Sequence, residues 1–280
     1  MNRREFLAAS SLVASSAWIA GCASGRSDLL TSTHSSASGA IRSGSGHRDT
    51  RMYELRIYTI NPGKAEALHN RFRTATLRLF KKHGIDSVGY WMPVDSNDLR
   101  LHFLLRYPSR EARESSWKAF SADPEWQSAY KASEAPGPIL AKGPESYFLN
   151  TTDYSPAAST GDISHGGVFE LRTYTTPPGR LSHLDARFRD HTIRLFAEHG
   201  MGNWGYFHRV DGQPESDVTL QYFLHHASPA AAKKSFDGFR VDPRWDTARK
   251  ASEAAAGGSL TVANGVKSTF LKATDYSPTR

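Results

Sequence analysis

The sequence predicts an α+β protein made of two ferredoxin-like (βαββαβ) repeats that pair sheet against sheet within one chain. Three observations lead there. First, Tyr53-Glu54-Leu55-Arg56-Ile57-Tyr58-Thr59 returns as Phe169-Glu170-Leu171-Arg172-Thr173-Tyr174-Thr175, with an offset of 116 at Glu54/Glu170, 119 at Asp123/Asp242 and 122 at Thr152/Thr274. Collinear halves with two small insertions are a duplicated domain, because solenoid units run to roughly 20–50 residues. Second, each copy alternates strand-type and helix-type patterns in the same order. Third, such a sheet covers one face with its own helices and leaves the other bare, and a large bare face needs a partner. The other repeat is the nearest one, which gives an eight-stranded, barrel-like core; two independent beads are the alternative.

The elements follow in order. The first strand alternates, with Tyr53, Leu55 and Ile57 on one face and Glu54, Arg56 and Tyr58 on the other. Asn61-Pro62-Gly63, or Pro177-Pro178-Gly179, turns into a helix whose apolar positions Ala65, Leu68, Phe72, Leu79 and Phe80 share a face. His83-Gly84 and His199-Gly200 end it, since glycine past a helix terminus adopts the left-handed conformation freely. The histidines there suit the negative end of the helix dipole. Strands follow at about Val88–Val94 and Leu99–Tyr107, joined by a turn at Asp95–Asp98 that carries three more residues in the second copy, within Gly212–Asp217. Ser109 and Ser228 are placed to cap the next helix, Asp123-Pro124 opens a short one, and a last strand lies near Ser146–Asn150.

Outside the repeats the N-terminus is the most informative segment. Asn2-Arg3-Arg4-Glu5-Phe6-Leu7 and the apolar, Ala/Ser-rich run after it resemble a twin-arginine export leader, with Arg3 and Arg4 as the signal pair. Ile19-Ala20-Gly21-Cys22 resembles a lipobox, which makes Cys22 the acylated first residue of the mature protein. The domain reading is a leader at 1–22, a flexible Ser/Gly-rich tether at 23–50, repeat 1 at 52–156, a linker at 157–167 and repeat 2 at 168–278. The expected address is periplasmic and membrane-anchored, at the outer membrane in a Gram-negative cell. A single cysteine excludes an intramolecular disulfide and any multi-cysteine metal site. The formal charge of +7 is dispersed among acids, which argues against a nucleic-acid partner.

Glu-Leu-Arg-x-Tyr-x-x-x-Pro-Gly, Phe80…His83-Gly84…Gly89-Tyr90-Trp91 and Phe120-x-x-Asp123-Pro124-x-Trp126 are similar to the NIPSNAP family of the dimeric α/β-barrel superfamily. The second copy repeats them as Phe196…His199-Gly200…Gly205-Tyr206-Phe207 and Phe239-x-x-Asp242-Pro243-x-Trp245. The resemblance implies ferredoxin-like halves paired through their sheets. It implies little about chemistry, since that superfamily includes cofactor-free monooxygenases, haem-handling enzymes, lyases and members without assigned reactions.

The alternation places Glu54, Arg56 and Tyr58, with Glu170, Arg172 and Tyr174, in the space between the sheets. On the third strand of each repeat, His102 and Arg106, and their counterparts Gln221 and His225, are expected to face the same space. Two readings stand for these charges. One is a pair of ion pairs across the sheets that lock the halves together. The other is a polar pocket, with arginine for an anion, Glu54, Glu170 or His102 as acid or base, and tyrosine as donor. His225 and His226 point to opposite faces of a strand and cannot chelate one ion, so no metal is expected. No cofactor is expected either; haem would need His102 or His225 as axial ligand. Trp91, Trp126, Trp204 and Trp245 read as packing aromatics. The functional expectation is a small apolar or aromatic ligand between the sheets, with a cofactor-independent oxygenase or lyase/isomerase, or a non-catalytic interaction module, as alternatives. The intrachain pseudo-dimer leaves room for further oligomerisation.

Overall fold

The first repeat opens with strand β1 (Met52–Thr59). Helix α1 (Ala65–Arg71) passes through a π-helical turn, Phe72–Thr76, into α2 (Leu77–Lys82). The wider turn re-aims the face, so that Leu68 before it, Phe72 at its start and Leu79 and Phe80 after it all reach one core. Gly84 ends the helix at φ +72° and Gly200 ends its counterpart at +79°. Next come β2 (Asp86–Pro93), β3 (Arg100–Tyr107), α3 (Arg110–Ala122), α4 (Pro124–Glu134) and β4 (Glu145–Thr151). The second repeat has β5 (Val168–Thr175), α5 (Leu181–Arg187), a π turn at Phe188–Thr192, α6 (Ile193–Glu198), β6 (Gly202–Arg209) and β7 (Thr219–His226). It closes with α7 (Pro229–Arg240), α8 (Pro243–Ala255) and β8 (Val266–Ala273). This computed structural model describes residues 49–158, 160–161 and 166–280. Arg3, Arg4 and Cys22, with the rest of the expected leader and nearly all of the expected tether, lie outside the described residues.

The caps are where the residue types put them. Ser109 Oγ accepts from the Ala112 N–H at 3.2 Å, and Ser228 Oγ from Ala231 at 3.1 Å. Asp123 and Asp242 accept from the backbone two residues on, at 2.9 and 2.8 Å. His83 and His199 do more than face a helix dipole. Their Nε2 atoms lie 2.7 and 2.9 Å from the carboxylates of Asp123 and Asp242, tying the end of one helix to the cap of another.

The strands form a closed barrel in the order β1-β3-β2-β8-β5-β7-β6-β4. All neighbours are antiparallel, and the two repeats join at two seams, β2–β8 and β4–β6. Four antiparallel steps separate β1 from β5, so these strands run in the same direction and the pseudo-twofold follows the barrel. Two independent beads are therefore excluded.

Three cores result. One lies between each sheet and its helices. The third is shared, with Tyr53, Leu55, Leu104, Leu149, Phe169, Leu171, Phe223 and Leu271 filling the barrel from both repeats. The Trp91 ring sits 5.5 Å from Phe169 and from Phe223, and 5.9 Å from Trp204. It leans back over Gly89, where a Cβ would come within 2.2 Å of the indole.

The segments after β4 and β8 cross over. Thr152 and Ser155 bond to the backbone of Tyr206 at 3.0 and 2.9 Å, and Thr274 and Ser277 bond to Tyr90 at 2.9 Å each. Tyr154 thus packs in the helix–sheet layer of repeat 2, and Tyr276 in that of repeat 1.

Candidate functional site

The first-strand residues face opposite to expectation. Tyr53 and Leu55 belong to the barrel interior. Glu54, Arg56 and Tyr58 lie under the helices of their own repeat, as do Glu170, Arg172 and Tyr174. The physical reason is that the charges find partners in that layer, Arg113 and Trp117 of α3 in repeat 1 and His226 of β7, Ser268 of β8 and Phe236 of α7 in repeat 2, whereas the barrel centre is closed by apolar side chains. Glu54 is fully buried. It accepts from Arg56 at 2.5 Å, from Arg113 of α3 at 2.9 and 3.0 Å, from Ser146 at 2.7 Å and from Tyr107 at 3.2 Å. The Arg56 guanidinium stacks over Trp117 at 4.4 Å. Tyr58 packs edge-on against Phe103 at 4.9 Å.

Repeat 2 builds a different centre on the same motif. Glu170 accepts from Arg172 and from Ser268 at 2.5 Å each and lies 2.9 Å from Nε2 of the buried His226. Arg172 donates to the Tyr222 hydroxyl at 2.9 Å and to Tyr174 at 3.3 Å, and lies over Phe236 at 4.6 Å. The ion pairs are thus formed within each strand rather than across the sheets, and the two centres do not meet. Burial alone would raise the Glu54 carboxyl, yet Arg56 and Arg113 hold it down at about 2. Glu170 is likewise held below its ordinary value, against burial, by His226, Arg172 and Ser268. Such carboxylates are saturated with donors and are weak bases at neutral pH.

The third strands do face the barrel, on the phase of Leu104 and Phe223. His102 pairs in register with Ile57 and Trp91, and Gln221 with Thr173 and Phe207. Both sit toward the barrel end where β1 and β5 finish. Burial, then Arg100, pushes the His102 imidazole down to about 4, which leaves it neutral and poorly basic. Arg106 lies at the other end and pairs with Asp86 at 2.6 Å. His225, its counterpart, packs on the Phe169 ring at 5.7 Å. Among the described residues no three His, Cys, Asp or Glu side chains converge as a metal-ligand set.

Clefts open at one seam instead. A space of about 470 Å³ beside β2–β8 is lined by His69, Arg73, Met92, Pro93, Val94, Lys272, Ala273, Thr274 and Asp275. A second, of about 410 Å³, lies across the tail by Leu77, Ile85, Tyr276 and Pro278. At the β4–β6 seam the position of Met92 is taken by His208, whose Nε2 lies 2.9 Å from Asp185. The longer β6–β7 loop folds over that seam, with the Gln213 amide bonding both to the N–H of Phe148, at 2.8 Å, and to its carbonyl, at 2.6 Å. The sequence held a signal for the crossed tails, since Thr-Asp-Tyr-Ser-Pro occurs in both copies at 152–156 and 274–278. The cleft itself had none.

The NIPSNAP family profile matches residues 53–156 and 169–278. The chain belongs to the NIPSNAP family. Among solved structures, this NIPSNAP chain is similar to an anthrone oxidase-like protein at 14% identity and a TM-score of 0.51, covering 83% of this chain and 95% of that one. It is also similar to a protein from Fusobacterium nucleatum named "putative monooxygenase", at 10% identity and a TM-score of 0.50, with 82% and 94% covered. A NIPSNAP domain protein from Burkholderia xenovorans aligns with 38% of this chain and 98% of its own length, at 23% identity and a TM-score of 0.33. The first two likenesses concern the fold. No curated protein sequence matches the chain.

Proposed function

We propose that this NIPSNAP protein is exported, anchored through Cys22, and binds a small apolar or aromatic molecule where the two repeats meet, in the β2–β8 cleft. The observation that carries the reading is the cleft of about 470 Å³ at that junction, within the roughly 300–1,000 Å³ of small-molecule sites. Met92, Pro93, Val94 and Ala273 supply its apolar lining, and His69, Lys272, Thr274 and the Arg73–Asp275 ion pair supply polar groups. The barrel centre is a poorer location because aromatic and leucine side chains fill it. An acid–base enzyme at the charged centres has less support, because Glu54, Glu170 and His102 are all tuned away from proton transfer near neutrality. The names of the oxygenase-like structural relatives lend that reading only a shared fold. Export and anchoring rest on the Arg3-Arg4 leader and on Cys22 at the end of its apolar run. Acyl chains would hold the protein at the membrane, each buried methylene contributing about 0.8 kcal/mol.

Native mass spectrometry of protein extracted from its own membranes tests both parts. The expected result is acyl mass on the peptide that begins at Cys22, and a non-covalent small molecule that is lost in Val94→Trp, which fills the cleft. Soluble protein without acyl mass would defeat the anchoring. A bare chain, or a ligand indifferent to Val94→Trp, would defeat the site.

A further inference from the structure

We propose that the helix–sheet layer of repeat 1 contains a phenol-binding slot, occupied by Tyr276 of the crossed tail, and that a free phenolic molecule competes with that side chain. The Tyr276 ring is nearly parallel to Phe72, 5° between planes with centroids 5.7 Å apart, and meets Tyr90 at 5.5 Å. Its hydroxyl lies 2.8 Å from Nδ1 of His69. One stacking ring, one tilted ring and one hydrogen bond at the rim are what recognition of a phenol requires. Tail residues line two clefts, Thr274 and Asp275 with His69 in one, and Tyr276 and Pro278 in the other. His69 is held below its ordinary value by burial and then by Arg73, so a neutral imidazole meets the hydroxyl and can take either hydrogen-bond role.

The counterpart slot shows why repeat 1 is the exchangeable one. Tyr154 donates to the Asp185 carboxylate at 2.6 Å, and Asp185 also bonds His208. A bond to a charged acceptor is roughly twice as strong as a neutral one. An arginine lies over each ring, Arg189 over Tyr154 at 5.4 Å and Arg73 over Tyr276 at 5.7 Å, so the difference lies at the hydroxyl, which meets a carboxylate in Tyr154 and a neutral imidazole in Tyr276. A tethered side chain competes at an effective concentration on the order of millimolar, so displacement by a simple phenol is expected in that range.

This assignment rests on the reading of the chain as a ligand-binding protein and names the ligand's class. In the full chain carrying Tyr276→Ala, calorimetry should show p-cresol binding at least about tenfold more tightly than toluene, the margin of one hydrogen bond near 1.4 kcal/mol. No binding, or equal binding of the two, overturns the slot. In wild type, millimolar p-cresol should speed amide exchange across residues 274–280, and unchanged exchange overturns the competition. Where Tyr276→Ala fails to fold, Tyr276→Phe should respond at lower p-cresol than wild type; an identical response counts against the role of His69. A ligand retained in the cleft by wild type, alongside indifference to p-cresol, would sink this assignment and leave the binding reading standing.

Discussion

The two repeats place the same Glu-Leu-Arg-x-Tyr strand under the same kind of helix and solve its buried charge differently. Repeat 1 adds a second guanidinium, Arg113, and stacks Arg56 on Trp117. Repeat 2 has Ala232 and Phe236 at those positions and relies on His226 and on the Tyr222 hydroxyl. In repeat 1 the residue aligned with Tyr222 is Phe103, which has no hydroxyl, and the buried Arg56 Nε has no partner. Glu54 therefore has two cations and a spare donor nearby, whereas Glu170 depends on one arginine. A duplicated motif fixes the need to bury one carboxylate. The surrounding side chains decide how that carboxylate is neutralised, Arg113 of α3 in repeat 1 and His226 of β7 in repeat 2.

This contrast makes the largest prediction. Arg172→Met should cost about 3–5 kcal/mol, because it strands a buried carboxylate. Arg56→Met should cost less than half of that, since Arg113 remains bidentate on Glu54. Urea unfolding of the two variants measures both, and equal losses would remove the asymmetry between the repeats.

The pH response is next. His102 is neutral in the folded chain with a pKa of about 4, below its ordinary 6.5, so the unfolded state takes up the proton first as pH falls. Stability from this site is intact above pH 6.5 and is lost between 6.5 and 4, by about 3 kcal/mol. His102→Gln gives repeat 1 the residue of repeat 2, Gln221, and should flatten that stretch of a melting-temperature profile. A slope unaltered by the substitution would assign the acid sensitivity elsewhere.

The smallest effect concerns the barrel aromatics. A Cβ at Gly89 would lie 2.2 Å from Trp91, while one at Gly205 would lie 2.9 Å from Phe207. Gly89→Ala should cost about 1–3 kcal/mol as overpacking, and Gly205→Ala distinctly less. Thermal melts that rank them the other way would show that the indole moves aside more easily than the phenyl.

The duplication, the strand and helix order, the caps and the glycine helix ends were legible in the residues, because each follows from local backbone chemistry or from periodicity. The third-strand phase was legible too, since His102 and Arg106 alternate with the apolar Leu101, Phe103 and Leu105. The first strand misled because both its faces are buried, so polarity no longer marks the side away from the helices. Tyr53 and Leu55 enter an apolar barrel, and Glu54 and Arg56 enter a layer whose helices supply partners. Only the contacts made by Arg113, Trp117, His226 and Phe236, distant in sequence, settle which face is which. The same holds for the seams. A three-residue difference in one loop is plain in the sequence, but that Gln213 folds over one junction while the other keeps a cleft was decided by closure of the barrel. The sequence determined the elements and their symmetry because these are local; tertiary structure decided where charge, ring and cleft come together, because those depend on side chains that meet only after folding.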